Sequence, residues 1–308
     1  MNLKRFLILN LTGLIFIFGM ISGAFAQDTD EQYVRNEWNF IDQSMDISKG
    51  IPADAGGVLG RIRDRRTLRV ATEPYFPPQE FIDPAKVGFN RFVGSDIKLA
   101  QLIADRMGVT LEIVPMDFSE VLASLDENTC DLAISALSFV PSRASSYELS
   151  KGYYYSEDNA GNGILIRSED QDKFTSINDF SDKTIAAQRG SLQESLMAEN
   201  FPGYKEFIRF SSAQEVYTAL ENGKIDAAMV DIETAQDYIE KGTDTRLMLL
   251  PDFQFQLEEQ FKGDRIAAKK GQLQLIYFVN AVIDEVLESG QYMEWYKEAE
   301  DLARSLGL

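Results

Sequence analysis

From Leu68 onward, short apolar runs alternate with longer stretches in which apolar residues recur every three or four positions. "TLRVAT" reads as a strand, and the loop "EPYFPPQEF" follows it. The prolines hold that loop extended, because proline fixes its own φ and restricts its predecessor. "GSDIKLAQLIADRMG" reads as a helix, with Ser95 or Asp96 capping its start and Gly108 ending it. "VTLEIVPM" is a strand, "SEVLASLDEN" a helix opened by Ser119, and "CDLAIS" a strand. The second half repeats the order: "KTIAAQRG" strand, "SLQESLMAEN" helix, "EFIRFS" strand, "AQEVYTALENG" helix, "IDAAMVD" strand. "DRIAAKKG" and a long helical region follow, the latter divided at Gly290. Strands separated by helices of this length predict parallel pairing through right-handed crossovers, an α/β architecture.

One segment echoes another. "EVLASLDENTCDLAIS" from Glu120 and "EVYTALENGKIDAAMV" from Glu215 align without gaps at an offset of 95 residues. Two similar α/β lobes is the simplest reading, and chance similarity between two ordinary helix–strand units is the other.

The 308 residues and 44% apolar content allow one large domain or two ordinary ones. The first 26 residues stand apart. Lys4 and Arg5 precede a long apolar run that ends in Ala24-Phe25-Ala26, the order of a secretory signal cleaved after Ala26. An uncleaved anchor is the alternative reading. Residues 27–66 are polar and mixed and read as an N-terminal extension, with a short helix expected around "YVRNEWNFIDQSM". Cys130 is the single cysteine, so neither an intramolecular disulfide nor a lipid anchor at the cleavage site is expected, and it reads as a small packed hydrophobe. These features point to a soluble periplasmic product.

Charge and composition exclude several classes. With 49 Asp+Glu against 30 Lys+Arg, the surface repels nucleic acid and anionic lipid. There is no histidine, which rules out Ser-His-Asp or Cys-His catalysis and any histidine-containing zinc site. No metal and no cofactor are expected.

In open α/β sheets ligands bind beyond the carboxyl ends of the strands. Those ends carry Glu73 and Phe76 after "TLRVAT", and Ala136, Ser138 and Arg143 after "CDLAIS". They carry Arg189, Gly190 and Ser191 after "TIAAQ", and Asp231 after "IDAAMV". Arg143 offers a fork that fits a carboxylate. Gly190 and Ser191 open a helix whose N–H groups suit an anion. Asp231 is a lone acid, and Phe76 and Phe118 supply flat walls. The set describes a pocket for a small zwitterion, of which an α-amino acid is the obvious case. Each residue also has an ordinary reading: Arg143 as a solvated charge, Asp231 as the N-cap of "IETAQDYIEKG", the two phenylalanines as core, and Gly190–Ser191 as a plain helix start.

The segments "LRVATEPYFPPQEF", "FVGSDIKLAQLIADRMGV", "FSEVLASLDENTCDLAISALSFVPSRA", "KTIAAQRGS", "ENGKIDAAMVD" and "GQYMEWYKE" resemble the periplasmic amino-acid-binding proteins of ABC importers, the solute-binding family 3 with the type II periplasmic-binding fold. The resemblance covers about residues 67–302. It implies two α/β lobes joined by two hinge crossings, lobe one at 67–156 plus 254–308 and lobe two at 157–253. It implies that Arg143 grips an α-carboxylate, Asp231 an α-amino group, and Ser138 the ligand's main-chain groups. Ala136 would act through its backbone carbonyl where Gly or Ser is usual. Ser191 follows the glycine of the second-lobe loop, and Phe76 and Phe118 flank the ligand's side chain. Glu73 matches an acid that in some members reaches a distal cation. Leu192 stands where a hydroxyl is common, and Arg189 beside the pocket is unusual. The implied protein is a monomer that binds an amino acid and delivers it to a membrane permease, without enzymatic activity. Two alternatives stay open: a periplasmic dehydratase of the same fold with Glu73 as general acid, and a ligand-sensing accessory protein whose partner engages the 27–66 extension.

Overall fold

The structure, a computed structural model, describes residues 45–156, 161–241, 246–256 and 262–308. The signal segment 1–26 and the helix expected around residues 33–45 lie outside the described residues, apart from Met45. The strands in chain order are β1 (Thr67–Thr72), β2 (Tyr75–Phe76), β3 (Glu80–Ile82), β4 (Phe92–Val93), β5 (Thr110–Pro115), β6 (Leu132–Ser138) and β7 (Tyr147–Leu149). They continue with β8 (Asn162–Arg167), β9 (Thr184–Gln188), β10 (Glu206–Phe210), β11 (Ala227–Asp231), β12 (Leu247–Phe255) and β13 (Asp264–Lys269).

Two five-stranded sheets organise the molecule, in the orders β5-β1-β6-β13-β7 and β10-β9-β11-β8-β12. Each holds a parallel trio in which the first strand lies between the second and the third, β5-β1-β6 and β10-β9-β11. Each trio is extended by antiparallel strands, β13 against β6 and β8 against β11. The echoed segments found in the sequence are the equivalent helix and third strand of each trio, Phe118–Asp126 with β6 and Ala213–Glu221 with β11. Each sheet is the centre of one lobe. The chain leaves the first lobe after β7, enters the second at β8, and returns between β12 and β13. The two crossings are bonded to each other: Tyr153 and Asp264 exchange a hydrogen bond of 2.9 Å from Tyr153 N to Asp264 O, and Asp264 N donates to Tyr154 O at 2.9 Å.

Both faces of each sheet are covered, so successive strand residues face different cores. In the first lobe Leu68, Val70, Leu132 and Ile134 join one apolar cluster, while Ala71, Ala133 and Leu137 join another with Cys130. In the second, Leu165, Ala228 and Val230 face one side, and Ile164, Ile166 and Met229 the other. The run Asn162–Arg167 is buried almost throughout, so it shows no polar alternation.

Residues 45–66 are part of the first lobe where they are described. The helix Gly57–Arg65 buries Val58, Leu59 and Ile62 in the cluster that holds Leu68, Ile103 and Val279, and Met45, Ile47 and Ile51 pack at its margin. Three local expectations differ. The helix Ser95–Met107 is entered from Gly94 without a side-chain cap, because Ser95 and Asp96 are buried and bonded to tyrosines instead. Gly94 sits at φ +126, where an added Cβ would meet Gln79 O at 2.0 Å. The segment at 118–126 is two short helices, Phe118–Val121 and Ala123–Asp126, entered from Asp117 rather than Ser119. Ser124 Oγ donates to Val121 O at 2.7 Å, a side-chain bond that competes with the helical ladder at the break. At Gly290 the expected break is present: the residue takes the left-handed conformation between helices Leu273–Ser289 and Gln291–Leu306.

Ile62 is fully buried, so Ile62→Ala should lower unfolding stability by about 2–4 kcal/mol through lost burial and the cavity left behind. Chemical denaturation measures it. A change within about 0.5 kcal/mol would mean that this helix is not part of the first-lobe core.

Candidate functional site

The carboxyl ends of the parallel strands from both lobes open onto one cleft, as expected where such ends face each other. Glu73, Phe76, Phe118, Ala136, Ser138, Arg143, Ser191 and Asp231 all line it. Gly190 lies beside the cleft rather than among its lining residues, and Arg189 is exposed and outside it.

Arg143 sits in the short helix Pro141–Ser146 and is only 8% exposed. Its Nη1 donates to Ser138 O at 2.7 Å, and its Nη2 donates to Gly190 O, on the second lobe, at 2.8 Å. The guanidinium carbon lies 5.8 Å from the centre of the Phe118 ring. Burial lowers the Arg143 pKa to about 10, opposed by the negative charge of Asp264. A cation fixed by carbonyls of both lobes is a ready partner for a carboxylate.

Gly190 adopts φ +76, and a Cβ there would come within 3.3 Å of Ser119 Cα in the first lobe. Its N–H donates to Glu194 Oε2 at 2.7 Å. Ser191 caps the helix Leu192–Asn200, accepting from Glu194 N at 3.1 Å while its hydroxyl donates to Gln188 O at 2.7 Å. These groups already hold one another, so the loop is rigid before anything enters. Asp231 combines its two sequence readings. It lines the cleft, and its Oδ1 accepts from Thr234 N and Thr234 Oγ1, both at 2.9 Å, at the start of the helix Ile232–Lys241. Burial raises its carboxyl to about 6, against the lowering effect of the Thr234 bonds.

The floor on the first-lobe side is built from buried acids. Glu73 is 2% exposed, and its Oε1 has no hydrogen-bond partner. Burial raises its carboxyl to about 8, and the charges of Asp117 and Glu215 add to the rise. Glu80 is 1% exposed. Its Oε1 accepts from Ser135 Oγ at 2.9 Å, and its Oε2 has no partner. Burial first and Asp96 next push it well above the ordinary carboxylate range. Asp96 lies beneath, accepting from Tyr292 OH at 2.7 Å, from Tyr153 OH at 2.7 Å and from Ala136 N at 3.1 Å. Ala136 is held at φ +44, a left-handed conformation uncommon for a residue with a side chain. The Asp96 bond fixes the peptide that presents this strand end to the cleft.

Sequence reasoning missed several lining residues. Glu80, Asp264, Glu233 and Tyr154 all face the cleft. Glu233 Oε1 accepts from Tyr154 OH at 2.6 Å and from Tyr296 OH at 3.0 Å, and those two rings stack 4.6 Å apart. A second-lobe helix is thereby tied to a crossing and to the last helix of the chain. The signal for Glu80 and Asp264 was a charge at the edge of an apolar run, in "PPQEFI" and "GDRIAA". Among the described residues the cleft therefore presents five carboxylates, Glu73, Glu80, Asp231, Glu233 and Asp264, against the cations Arg143 and Lys262. Among the described residues no group of acids and cysteines could hold a metal ion, and no helix is long and apolar enough to cross a membrane.

Solved structures share this fold. A substrate-binding protein of an amino acid ABC transporter from Streptococcus pneumoniae, crystallised with L-arginine, is 29% identical, with a TM-score of 0.69 over 80% of this chain and 98% of that one. An ancestral amino-acid-binding protein described as a precursor of cyclohexadienyl dehydratase is 25% identical, with a TM-score of 0.66 over 79% of this chain and 99% of that one. In sequence, the L-cystine-binding protein TcyJ of Escherichia coli K12 is 26% identical over 234 residues, 76% of this chain and 82% of TcyJ. The arginine-binding extracellular protein ArtP of Bacillus subtilis 168 is 24% identical over 257 residues, 83% and 94% of the two chains. The family match spans residues 68–299, the whole two-lobed region, and the chain belongs to the bacterial extracellular solute-binding proteins, family 3.

Proposed function

We propose that this protein captures an amino acid with a cationic side chain between its lobes and delivers it to an ABC-type importer. The observation that carries the reading is the excess of carboxylates around one buried guanidinium, with Glu73 and Glu80 each keeping an unpartnered oxygen. A buried acceptor without a donor costs free energy that a ligand's N–H groups recover. In this reading Arg143 takes the α-carboxylate, Asp231 the α-amino group, and Glu73 the distal cation, with Phe76 and Phe118 along the aliphatic stem. The arginine named for one relative and one solved neighbour carries just these groups, and the cystine named for another carries a distal ammonium together with a second carboxylate. Arg189 is exposed and outside the cleft lining, so it offers no partner to a second ligand carboxylate.

Closure follows from differential contact. A ligand seated on the first lobe through Arg143 gains Asp231 and the Ser191 loop only when the lobes meet, so binding shifts the population toward the closed form. The crossings at Tyr154 and Asp264 are the hinge. Residues 1–26 are removed on export in this reading, and the mature chain works as a monomer beside its permease.

A second reading has one observation in its favour: a Glu73 carboxyl raised to about 8 is protonated at neutral pH, as a general acid must be. The dehydratase link of the ancestral neighbour fits it. Aromatic product on incubation with prephenate would favour this reading, and we expect none.

Arg143→Ala should weaken the preferred amino acid at least about a hundredfold, since removing one partner of a buried charge pair costs about 3–5 kcal/mol. A thermal-shift panel of the twenty amino acids, followed by calorimetry, checks it. Arginine at a hundredfold excess over its Kd should add about 2.7 kcal/mol of stability. Equal affinity in parent and variant would contradict the assignment.

The raised carboxyls also predict a pH response. Glu73 and Asp231 hold more protons folded than unfolded between their ordinary values and about 8 and 6 respectively, and Asp264 shifts in the same direction. Their contribution to ligand-free stability is therefore present at low pH and lost as pH rises through that window. A cationic ligand prefers the ionised acids, so its stabilising shift should grow over the same range. Melting temperatures with and without arginine from pH 5 to 8 should diverge, and parallel curves would contradict the prediction.

A further inference from the structure

Asp264 is one of the cleft acids to which the proposed function assigns no ligand contact. It is the first residue of β13 and lines the cleft. Its backbone is clamped on both sides, N–H to Tyr154 O and carbonyl to Tyr153 N, each at 2.9 Å. It pairs in register with Ser138, the residue whose carbonyl holds Arg143. The guanidinium of Arg143 donates to Ser138 O and Gly190 O rather than to Asp264. Across the cleft the second lobe presents Asp231 and Glu233 on the edge of the helix Ile232–Lys241. Glu233 is occupied by Tyr154 and Tyr296, and Asp231 by Thr234. Burial holds the Asp264 carboxyl well above its ordinary range, with Asp96, Asp231 and Glu233 adding to the rise and only Arg143 opposing it.

We propose that Asp264 is a specificity-determining residue: with Asp231 it forms a two-sided carboxylate clamp, one jaw on each lobe, that closes on a ligand ammonium and resists closing without one. This rests on the reading of the cleft as an amino-acid site. Two carboxyls on opposite lobes approach as the lobes close, and in a cleft of reduced dielectric this costs either weakly screened repulsion or the uptake of a proton. An ammonium between them converts repulsion into two attractions. The clamp thus makes closure conditional on a cation at that point, which selects by penalising the wrong occupant as well as by favouring the right one. Asp264 is well placed for this because its backbone is pinned at the hinge, so the jaw on the first lobe does not swing away.

The test uses Asp264→Asn, nearly isosteric and uncharged, on the mature protein. Three measurements are made: the melting temperature without ligand, the radius of gyration without ligand by small-angle scattering, and Kd for arginine and for its analogue lacking the α-amino group, 5-guanidinopentanoate. The proposal expects the variant to melt no lower than the parent and to be more compact without ligand. It expects arginine affinity to fall about tenfold or more, while the analogue, which has no ammonium for the clamp, binds more tightly than it does to the parent. A lower melting temperature would mean that Asp264 stabilises the fold, and would overturn the proposal. Equal loss for both ligands would overturn it too, by making Asp264 a support for Arg143. Asp264→Ser, read in the same way, guards against an effect peculiar to the asparagine amide. If the parent binds neither compound, the proposed function fails, while the ligand-free compaction still decides whether the clamp exists.

Discussion

Like charges confined between two bodies are the constraint on which this structure turns. Five carboxylates among the described residues line the cleft, and burial holds Glu73, Glu80, Asp231 and Asp264 above their ordinary pKa values. Keeping such groups dry and close is unfavourable unless protons or a cation compensate. The fold tolerates the arrangement because its rigidity comes from elsewhere: two sheets covered on both faces, and paired crossings that fix where the lobes meet. Among the described residues Arg143 supplies the one deeply buried positive charge on the cleft wall, and it bonds to carbonyls of both lobes rather than to any of the acids.

Asp96 links the scaffold to the site. It lies fully buried at the start of a helix, collects two tyrosine hydroxyls and the Ala136 N–H, and so connects the last helix, a crossing and a strand end. The left-handed Ala136 is strain stored where the cleft begins. On the opposite side the helix cap at Ser191 and the Gly190–Arg143 bond give the second-lobe loop a fixed shape. Both walls are set by bonds internal to the protein, so a ligand need order little on arrival.

Much of this was legible in the sequence, for identifiable reasons. The parallel trios announced themselves because short apolar runs alternate with stretches of helical periodicity in the same order in both halves of the chain. The cleft residues Arg143, Asp231 and Glu73 could be named because they sit at strand ends, where such sheets bind ligands. Asn162–Arg167 and Leu247–Phe255 were silent, since one is a short buried run and the other a long, irregular edge strand. The helix Gly57–Arg65 was hidden by its three arginines, although Val58, Leu59 and Ile62 form a buried face. Ser95 and Asp96 looked like caps because short polar residues at a helix start usually are, and only tertiary contacts with Tyr153 and Tyr292 reveal their use. Asp264 went unread because its one local mark, a charge at the edge of an apolar run, does not say which distant groups the acid faces.

The central claim is that a cation replaces protons in a cleft crowded with acids. Calorimetric titration of the mature protein with arginine at pH 7, repeated in two buffers of different ionisation enthalpy, tests it most directly. The account predicts that binding releases protons, so the observed heat changes with the buffer in the direction of release. Heats identical in both buffers, or net proton uptake, would contradict it.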